Sequence, residues 1–225
     1  MKVLYNKYDK KLIPTLPRIV FPGRKVVIIS QCEAEKAVDY LLSQPMLGFD
    51  TETRPSFKKG CSHKVALLQV STYDTCFLFR LNRIGLCPAV IRLMESTSAK
   101  KIGLSWKDDL AALHRRGDFD SSGFIDLQDH MSELGIVDKS LAKLYANFFG
   151  ERISKREQLS NWEADVLSEK QQNYAATDAW ACLKLYDEYV RLKDTDDYQL
   201  VVVPEPEVTN TENISTDEEN ISKEG

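Results

Sequence analysis

Two carboxylates near residue 50 have a spacing that could support metal chemistry. Asp50 and Glu52 lie in the stretch Gly48-Phe-Asp-Thr-Glu-Thr53. At the end of a strand, residues two apart point the same way, so both side chains would converge on one spot. Adjacent buried anions repel each other, and a divalent cation with oxygen ligands, Mg²⁺ or Mn²⁺, offsets that repulsion. The alternative is a solvated strand end in which the two acids never meet.

A second motif, Tyr174-Ala-Ala-Thr-Asp178, lies late in the chain within a predicted long helix. Tyr174 and Asp178 are four residues apart, so they share one helix face. This spacing would place a phenol beside a carboxylate in a site. Taken alone, a half-buried tyrosine above a surface aspartate explains the motif equally simply.

The third motif is the stretch 101–113, Lys-Ile-Gly-Leu-Ser-Trp-Lys-Asp-Asp-Leu-Ala-Ala-Leu. It predicts a strand followed at once by a helix that opens with acidic residues. Asp108 or Asp109 could contribute a further carboxylate to a site. Taken alone, either acid could equally be stabilising the positive end of the helix dipole.

The elements that must position these motifs follow from hydrophobic periodicity and turn residues. Strands are predicted at 26–29, 47–50, 65–71, 75–81, 101–104 and 124–127. Helices are predicted at 33–43, 88–94, 108–115, 140–149 and 168–193. Ser168 and Gln171 form a capping box at the start of the last helix. A β-rich first half followed by alternating helices and strands suits a mixed sheet flanked by helices, such as an α/β sandwich of the ribonuclease H-like kind, and the pattern alone fits other α/β folds as well.

Charge is distributed unevenly along the 225 residues, whose net charge is −4. Residues 194–225 hold ten acidic residues and one lysine, which leaves 29 basic and 24 acidic residues in 1–193. A mildly basic body is compatible with a nucleic-acid partner. We therefore divide the chain into a polar lead-in (1–20), one domain (21–193) and an acidic tail (194–225) that we expect to be disordered.

Cysteine usage and hydropathy exclude several classes of protein. The five cysteines are widely spaced and form no CxxC pair, so neither a zinc ribbon nor a disulfide framework is predicted. No apolar run approaches the length of a membrane span, and the first residues lack the apolar core of a signal peptide. We expect a soluble, cytoplasmic protein with no membrane partner.

The combination and order of the three motifs resembles the DEDDy exonucleases, and the resemblance covers residues 21–192. Two further stretches add to it, Leu141-Ala-Lys-Leu-Tyr-Ala-Asn-Phe-Phe-Gly150 and Lys155-Arg-Glu-Gln-Leu-Ser-Asn-Trp162. Together they look like the segment before the last motif in the ribonuclease D family. They are also similar to the exonuclease module of the Werner syndrome helicase.

The resemblance implies a DnaQ-like exonuclease fold and a 3′-5′ exonuclease that uses two divalent cations, Mg²⁺ or Mn²⁺. Asp50, Glu52 and Asp178 would bind metal directly, and Asp109 would complete the set through water. Asp109 fits better than Asp108, because the family's acid lies six residues after a glycine like Gly103 and before an apolar helical residue. Tyr174 would orient the attacking water, which is the tyrosine subclass.

The expected partner is a nucleic acid with a free 3′ end, either DNA or RNA, as a single strand or a frayed duplex. Its phosphates need cations at the rim of an acidic site, and its bases need stacking platforms. Candidate contacts are Thr53, Lys155, Arg156 and Trp162, with Phe57, Lys58, Lys59, Lys64 and Lys143 as further possibilities. Solvated lysines, and a packing role for Phe57, are the alternatives.

Two other functions compete with nuclease activity. Haloacid dehalogenase-type phosphatases use Asp-x-Asp-x-Thr after a strand, whereas this chain has Asp50-Thr-Glu-Thr53 and would leave Tyr174 and Asp178 without a role. A non-catalytic nucleic-acid-binding module on a nuclease fold is the second alternative. Metal-dependent release of nucleotides separates an exonuclease from both.

Overall fold

The structure is a computed structural model in which residues 1–58 and 60–204 are described. The strands are β1 (Lys2–Tyr5), β2 (Arg24–Ile28), β3 (Met46–Thr53), β4 (Val65–Ser71), β5 (Thr75–Phe79), β6 (Lys100–Gly103), β7 (Phe124–Asp126) and β8 (Tyr198–Val201). The helices are α1 (Gln31–Leu42), α2 (Leu81–Ile84), α3 (Pro88–Glu95), α4 (Trp106–His114), α5 (Leu127–Glu133), α6 (Leu141–Phe149) and α7 (Glu169–Thr195). Each element predicted from the sequence is present, with ends that agree within three residues.

A six-stranded sheet with the order β2-β5-β4-β3-β6-β7 forms the centre of the fold. The pairs β3–β4 and β4–β5 are antiparallel, and the pairs β2–β5, β3–β6 and β6–β7 are parallel. The antiparallel pairs come from the β-rich first half of the chain, and the parallel pairs require the helical crossovers that follow. The predicted mixed sheet with flanking helices is confirmed.

Helices cover both faces of this sheet, and strand alternation sorts the apolar side chains between them. Leu67 and Leu78 pack with α5, α6 and α7 on one face. Phe49 and Leu68 pack with α1, α3 and α4 on the other. Since neighbouring residues of a strand point to opposite faces, the strands carry apolar residues almost without interruption and have two buried sides.

The local sequence sets the ends of the two helices nearest the predicted motifs. The Ser168 hydroxyl accepts from the backbone N–H of Gln171 at 3.2 Å, and the Gln171 side chain accepts from that of Ser168 at 3.0 Å, which confirms the capping box. Gly150 ends α6 in the left-handed conformation, with φ of 64°.

Within the described chain, no helix combines the length and the apolar character that a membrane span requires.

The two ends of the chain differ from their prediction. Residues 2–5 (β1) and 198–201 (β8) pair as a two-stranded parallel sheet, so the expected disorder is wrong for that part of the tail. The Asn147 side chain bonds both the N–H and the carbonyl of Tyr5, at 3.0 and 2.7 Å. Each of these strands has only four residues, too few to show a periodic pattern, and its partner lies at the other end of the described chain. Residues 205–225 lie outside the described residues.

The contact between β3 and α7 brings the first and last motifs together. Gly48 lies in β3, two residues before Asp50, and faces the backbone of Ala179 in α7. A Cβ atom built on Gly48 would lie 2.0 Å from the Ala179 carbonyl oxygen. Only a residue without a side chain allows strand and helix to approach this closely.

We predict that Gly48→Ala lowers the free energy of unfolding by about 3 kcal/mol or more, because the added methyl group must push the helix away from the strand. Gly117→Ala is the matched control: its added Cβ would lie 3.6 Å from Leu86 Cδ1, an ordinary contact. Urea unfolding followed by circular dichroism measures both. Equal midpoints for the two variants would contradict the tight β3–α7 contact.

Candidate active site

Three carboxylates meet where β3 passes α7. Asp50 and Glu52 point to the same side of β3, as their spacing predicts, and Asp178 faces them from α7. Ligand oxygens from the three side chains lie within 4.8 Å of one another. The strand order and the helix packing, rather than the local sequence alone, bring the third carboxylate to the other two.

Burial makes this cluster electrostatically costly. Desolvation, with the charges of Asp178 and Asp109, raises the pKa of Asp50 well above its usual range. Desolvation and the Asp50 charge raise the pKa of Glu52 to about 10, and desolvation raises that of Asp178 to about 7. These shifts mean that negative charge is poorly compensated here by the surrounding protein.

One atom of the cluster has an unsatisfied hydrogen-bonding capacity. Asp178 is 6% exposed, and its Oδ1 is fully buried without a hydrogen-bond partner in the described part of the chain. A buried carboxylate oxygen without a partner is rare because it loses the stabilisation of water. A cation bound between the three carboxylates would satisfy it, so these residues fit a metal site.

The structure brings Asp109, and not Asp108, to the cluster. Asp109 lies in the first turn of α4 and is partly buried, whereas Asp108 is exposed. The Thr51 hydroxyl hydrogen-bonds the Asp109 carboxylate from β3. Burial raises the pKa of Asp109 to about 6, and its charge in turn raises the pKa of Asp50 and Glu52. Asp109 is not part of the tight three-carboxylate group.

A residue that the sequence analysis missed positions the helix that carries Asp109. The Asp126 carboxylate accepts from the backbone N–H groups of Ser105 and Trp106 at 2.9 and 2.8 Å, and caps α5 through Gln128 at 3.0 Å. Ser105 has a left-handed backbone with φ of 59°, an uncommon conformation for a non-glycine residue. An aspartate between a strand and a helix was the only available signal for this role.

Tyr174 reaches the cluster from the same helix as Asp178. It lines the same cleft as Asp178, and burial followed by the charges of Asp178 and Glu52 raises the pKa of Tyr174 far above its usual range. The phenol therefore stays protonated and can act as a hydrogen-bond donor. The predicted proximity of phenol and carboxylate is confirmed.

Trp162 does not lie on the surface, so its predicted role as a stacking platform is wrong. Its side chain is 0% exposed, and its ring centroid lies 5.9 Å from that of Tyr174. The indole Nε1–H donates to the Gln158 carbonyl at 3.4 Å. A nucleotide base cannot reach a ring enclosed in this way. Trp162 instead packs behind Tyr174 and limits the positions that its ring can adopt.

The carboxylates open into a cleft of about 290 Å³. Its lining residues are Asp50, Thr51, Glu52, Leu104, Ser140, Leu141, Ala142, Ile153, Ser154, Lys155, Gln158, Tyr174, Asp178 and Cys182. Lys155 is exposed and also lines the cleft, with Nζ 3.3 Å from the Ser140 hydroxyl. Its positive charge partly offsets the rise in the pKa of Asp178, so the cleft has a cation near its carboxylates.

The other predicted nucleic-acid contacts lie outside this cleft. Thr53 is half-buried at the end of β3. Arg156 is exposed and lines a neighbouring cavity. Lys143 forms an ion pair of 2.6 Å with Asp138. Phe57, Lys58 and Lys64 are exposed, and Lys59 lies outside the described residues.

Comparisons with known proteins agree with this geometry. A family model described as 3'-5' exonuclease matches residues 26–191. Over 190 residues, the chain is 33% identical to the mouse bifunctional 3'-5' exonuclease/ATP-dependent helicase WRN, covering 80% of this chain and 14% of that protein. The chain spans between 14% and 51% of the length of the first three curated relatives it matches.

Solved structures show the same fold. Escherichia coli RNase D superposes with a TM-score of 0.66 at 20% identity, covering 76% of this chain and 47% of that one. Trypanosoma brucei RNase D, solved in complex with RNA U12, gives a TM-score of 0.66 at 19% identity, covering 77% and 65%. The fold is thus that of the DnaQ-like exonucleases. With the family match across residues 26–191, it shows that the chain belongs to the 3'-5' exonuclease family.

Proposed function

We propose that this protein is a metal-dependent exonuclease of the DEDDy type that removes nucleotides one at a time from the 3′ end of DNA or RNA. The buried, unpartnered Asp178 oxygen within the three-carboxylate group is the observation that carries the proposal. A binding module without chemistry would have no reason to retain this costly cluster. Membership of an exonuclease family disfavours the phosphatase alternative.

Asp50, Glu52 and Asp178 would hold the metal ions directly, and Asp109 would hold one through water. Carboxylate oxygens as the sole ligands favour Mg²⁺ or Mn²⁺ over softer metals. When bound, two such ions would supply a water of lowered pKa and would stabilise charge on the attacking and leaving oxygens of a phosphodiester. The raised pKa values of the carboxyl groups describe the metal-free protein, and a bound cation favours their ionised forms.

Tyr174 would contribute a hydrogen bond rather than a base. Its high pKa keeps the phenol neutral, so it cannot remove a proton at neutral pH. Its ring is held on one side by Trp162, and the residue lines the cleft together with Asp178. A phenol fixed in this way can orient the attacking water toward the phosphorus, which lowers the entropic cost of the reaction.

The substrate would enter the cleft with its 3′ end beside the carboxylates. Lys155 and Arg156 would contact phosphates, because the acidic wall alone repels a polyanion. A structural neighbour was solved with RNA, and the three motifs of this chain select neither nucleic acid, so we propose both RNA and DNA as substrates. None of the described lining residues distinguishes a 2′-hydroxyl by type alone.

The first prediction that follows from this proposed function concerns the carboxylates. We expect Asp50→Ala to abolish shortening of 5′-labelled single strands, DNA or RNA of equal sequence, in Mg²⁺ or Mn²⁺, and EDTA to abolish it in the wild type. Asp109→Ala should reduce the rate strongly, whereas Asp108→Ala, at the exposed neighbour, serves as the matched control and should leave it unchanged. Full activity of Asp50→Ala would reject the proposed site, and the faster substrate identifies the preferred nucleic acid.

The second prediction concerns the phenol. Tyr174→Phe should lower kcat by about 100-fold, the effect of removing one well-placed hydrogen-bond donor, with substrate affinity retained. Tyr73→Phe is the control, because Tyr73 also donates to a carboxylate, Asp187 at 2.8 Å, but lies outside the cleft. Single-turnover kinetics and binding in Ca²⁺ separate rate from affinity. A Tyr174→Phe enzyme as fast as Tyr73→Phe would remove Tyr174 from the mechanism.

The third prediction uses the raised pKa values of Glu52 and Asp178. A carboxyl group with a higher pKa in the folded state than in the unfolded state binds more protons when folded. Between pH 5 and 7, the metal-free protein should therefore lose stability as the pH rises, by about 1.4 kcal/mol per pH unit for each proton released only on unfolding. Saturating Mn²⁺ should reverse much of this loss, because it binds the ionised carboxylates of the folded state.

Thermal unfolding at pH 5, 6 and 7, in EDTA and in Mn²⁺, measures this linkage. Asp50→Asn is the control: it removes one titrating anion and should reduce both the pH dependence and the Mn²⁺ effect. Metal-free stability that stays constant or increases from pH 5 to 7 would contradict the buried, uncompensated cluster.

A further inference from the structure

A second cavity, of about 400 Å³, adjoins the active-site cleft. The residues shared by the two linings are Ser140, Ala142, Ile153, Ser154 and Lys155. The cavity and the cleft therefore adjoin, and the residues between them lie at the start of α6 and on the loop after it. A ligand whose end lies at the carboxylates would reach the second cavity by passing over Ser140 and Lys155, whose side chains contact each other at 3.3 Å.

The charge of the second cavity is opposite to that of the cleft. Its cationic lining residues are Lys10, Lys143, Arg152, Lys155 and Arg156. No carboxylate is among its described lining residues. Ile13, Pro14, Ala142 and Ile153 provide an apolar surface between these cations. Cations beside an apolar surface suit a flexible polyanion with apolar groups, such as a single strand of nucleic acid.

The N-terminal segment forms one wall of this cavity and is held firmly. The backbone N–H of Arg152 donates to Pro17 at 2.9 Å, and its Nε donates to the Leu16 carbonyl at 2.9 Å. The backbone N–H of Tyr8 donates to Asp138 at 2.6 Å. These bonds position residues 8–17, which precede the stretch matched by the family model.

Three of the five cations are available for a ligand: Lys155, which also lines the cleft, and the two that line only this cavity, Lys10 and Arg156. Lys143 is paired with Asp138, and the Arg152 guanidinium bonds a carbonyl group. Lys10 and Arg156 are exposed and form no ion pair with any described residue. They lie on the N-terminal segment and on the loop after Ile153, so a ligand between them would contact both walls.

We propose that this cavity binds the substrate strand upstream of the scissile linkage, with Lys10 and Arg156 contacting its phosphates. The inference rests on the proposed exonuclease function and adds the N-terminal segment to the binding surface. A released mononucleotide carries one phosphate and would need one cation, whereas cations on two separate segments that border the cavity match successive phosphates. The occupant is therefore the strand that remains attached.

The test compares two substrates of the proposed reaction. A dinucleotide with a free 5′-hydroxyl contains only the scissile phosphate, whereas a longer single strand also carries upstream phosphates. The variant is Lys10→Ser/Arg156→Ser. The control is Lys36→Ser/Lys100→Ser, which removes two exposed charges from α1 and from the end of β6 that pairs with Met46, away from the carboxylates.

For the longer strand, we expect Lys10→Ser/Arg156→Ser to lower kcat/KM by about ten-fold near physiological salt. The slope of log kcat/KM against log salt should become shallower by about 1.4, which corresponds to two lost phosphate contacts on a single strand. The dinucleotide should be hydrolysed as by the wild type. The control variant should match the wild type on both substrates.

Each other result has a definite meaning. If the wild type hydrolyses neither substrate, the proposed function fails. If the wild type is active but the variant matches the control on the longer strand, the cavity does not hold the strand and this inference is overturned. An equal loss on the dinucleotide would also overturn it, because Lys10 and Arg156 would then act on the scissile phosphate itself.

Discussion

The packing of α7 against β3 is the contact on which the site depends. Gly48 removes the side chain that would separate the two backbones, and Ala179 supplies the carbonyl that occupies the space. Apolar residues of α7 pack in one cluster with Met46 of β3 and Leu67 of β4 on this face of the sheet. Burial of that face stabilises the fold enough to hold Asp50, Glu52 and Asp178 together, although their mutual repulsion and desolvation oppose it.

A second set of contacts controls the orientation of Tyr174. Arg80 is almost fully buried and hydrogen-bonds the backbone carbonyl groups of Ala164 and Asp165. The Gln171 side chain also donates to the Asn161 carbonyl at 3.1 Å. These bonds hold the loop that inserts Trp162 behind the Tyr174 ring. The loop before α7 therefore acts on the site by restricting a side chain, with no need to touch the substrate.

The sequence predicts most of the site because its key spacings are local. Asp50 and Glu52 are two residues apart in a strand, and Tyr174 and Asp178 are four apart in a helix, so each pair converges wherever its element lies. What could not be predicted depends on contacts between distant segments. Trp162 is of a residue type that often stacks on nucleotide bases, but the loop that carries it folds so that its side chain is fully buried.

The contrast between local spacing and contacts between distant segments also explains the other features that the sequence did not predict. Asp126 and Thr51 have no pattern of their own, and their roles appear only once β7 and β3 lie beside α4. The pairing of β1 with β8 joins the two ends of the described chain, and each strand is too short to show an alternating pattern. Propensity and periodicity describe one element at a time, whereas these interactions exist only between elements.

Negative and positive side chains are segregated between the active-site cleft and the adjoining cavity. The carboxylates needed to hold cations also repel a phosphate backbone, so metal binding and substrate binding make opposite demands on one depression. The structure meets these demands with different elements: β3 and α7 supply the anions, and the N-terminal segment and the loop after α6 supply the cations. Because Lys155 lines both parts, it marks the point at which an entering strand would pass from basic to acidic surroundings. One bound divalent ion would offset two of the negative charges at that point and two ions would offset four, so the cleft would repel the scissile phosphate of an entering strand less when metal is present.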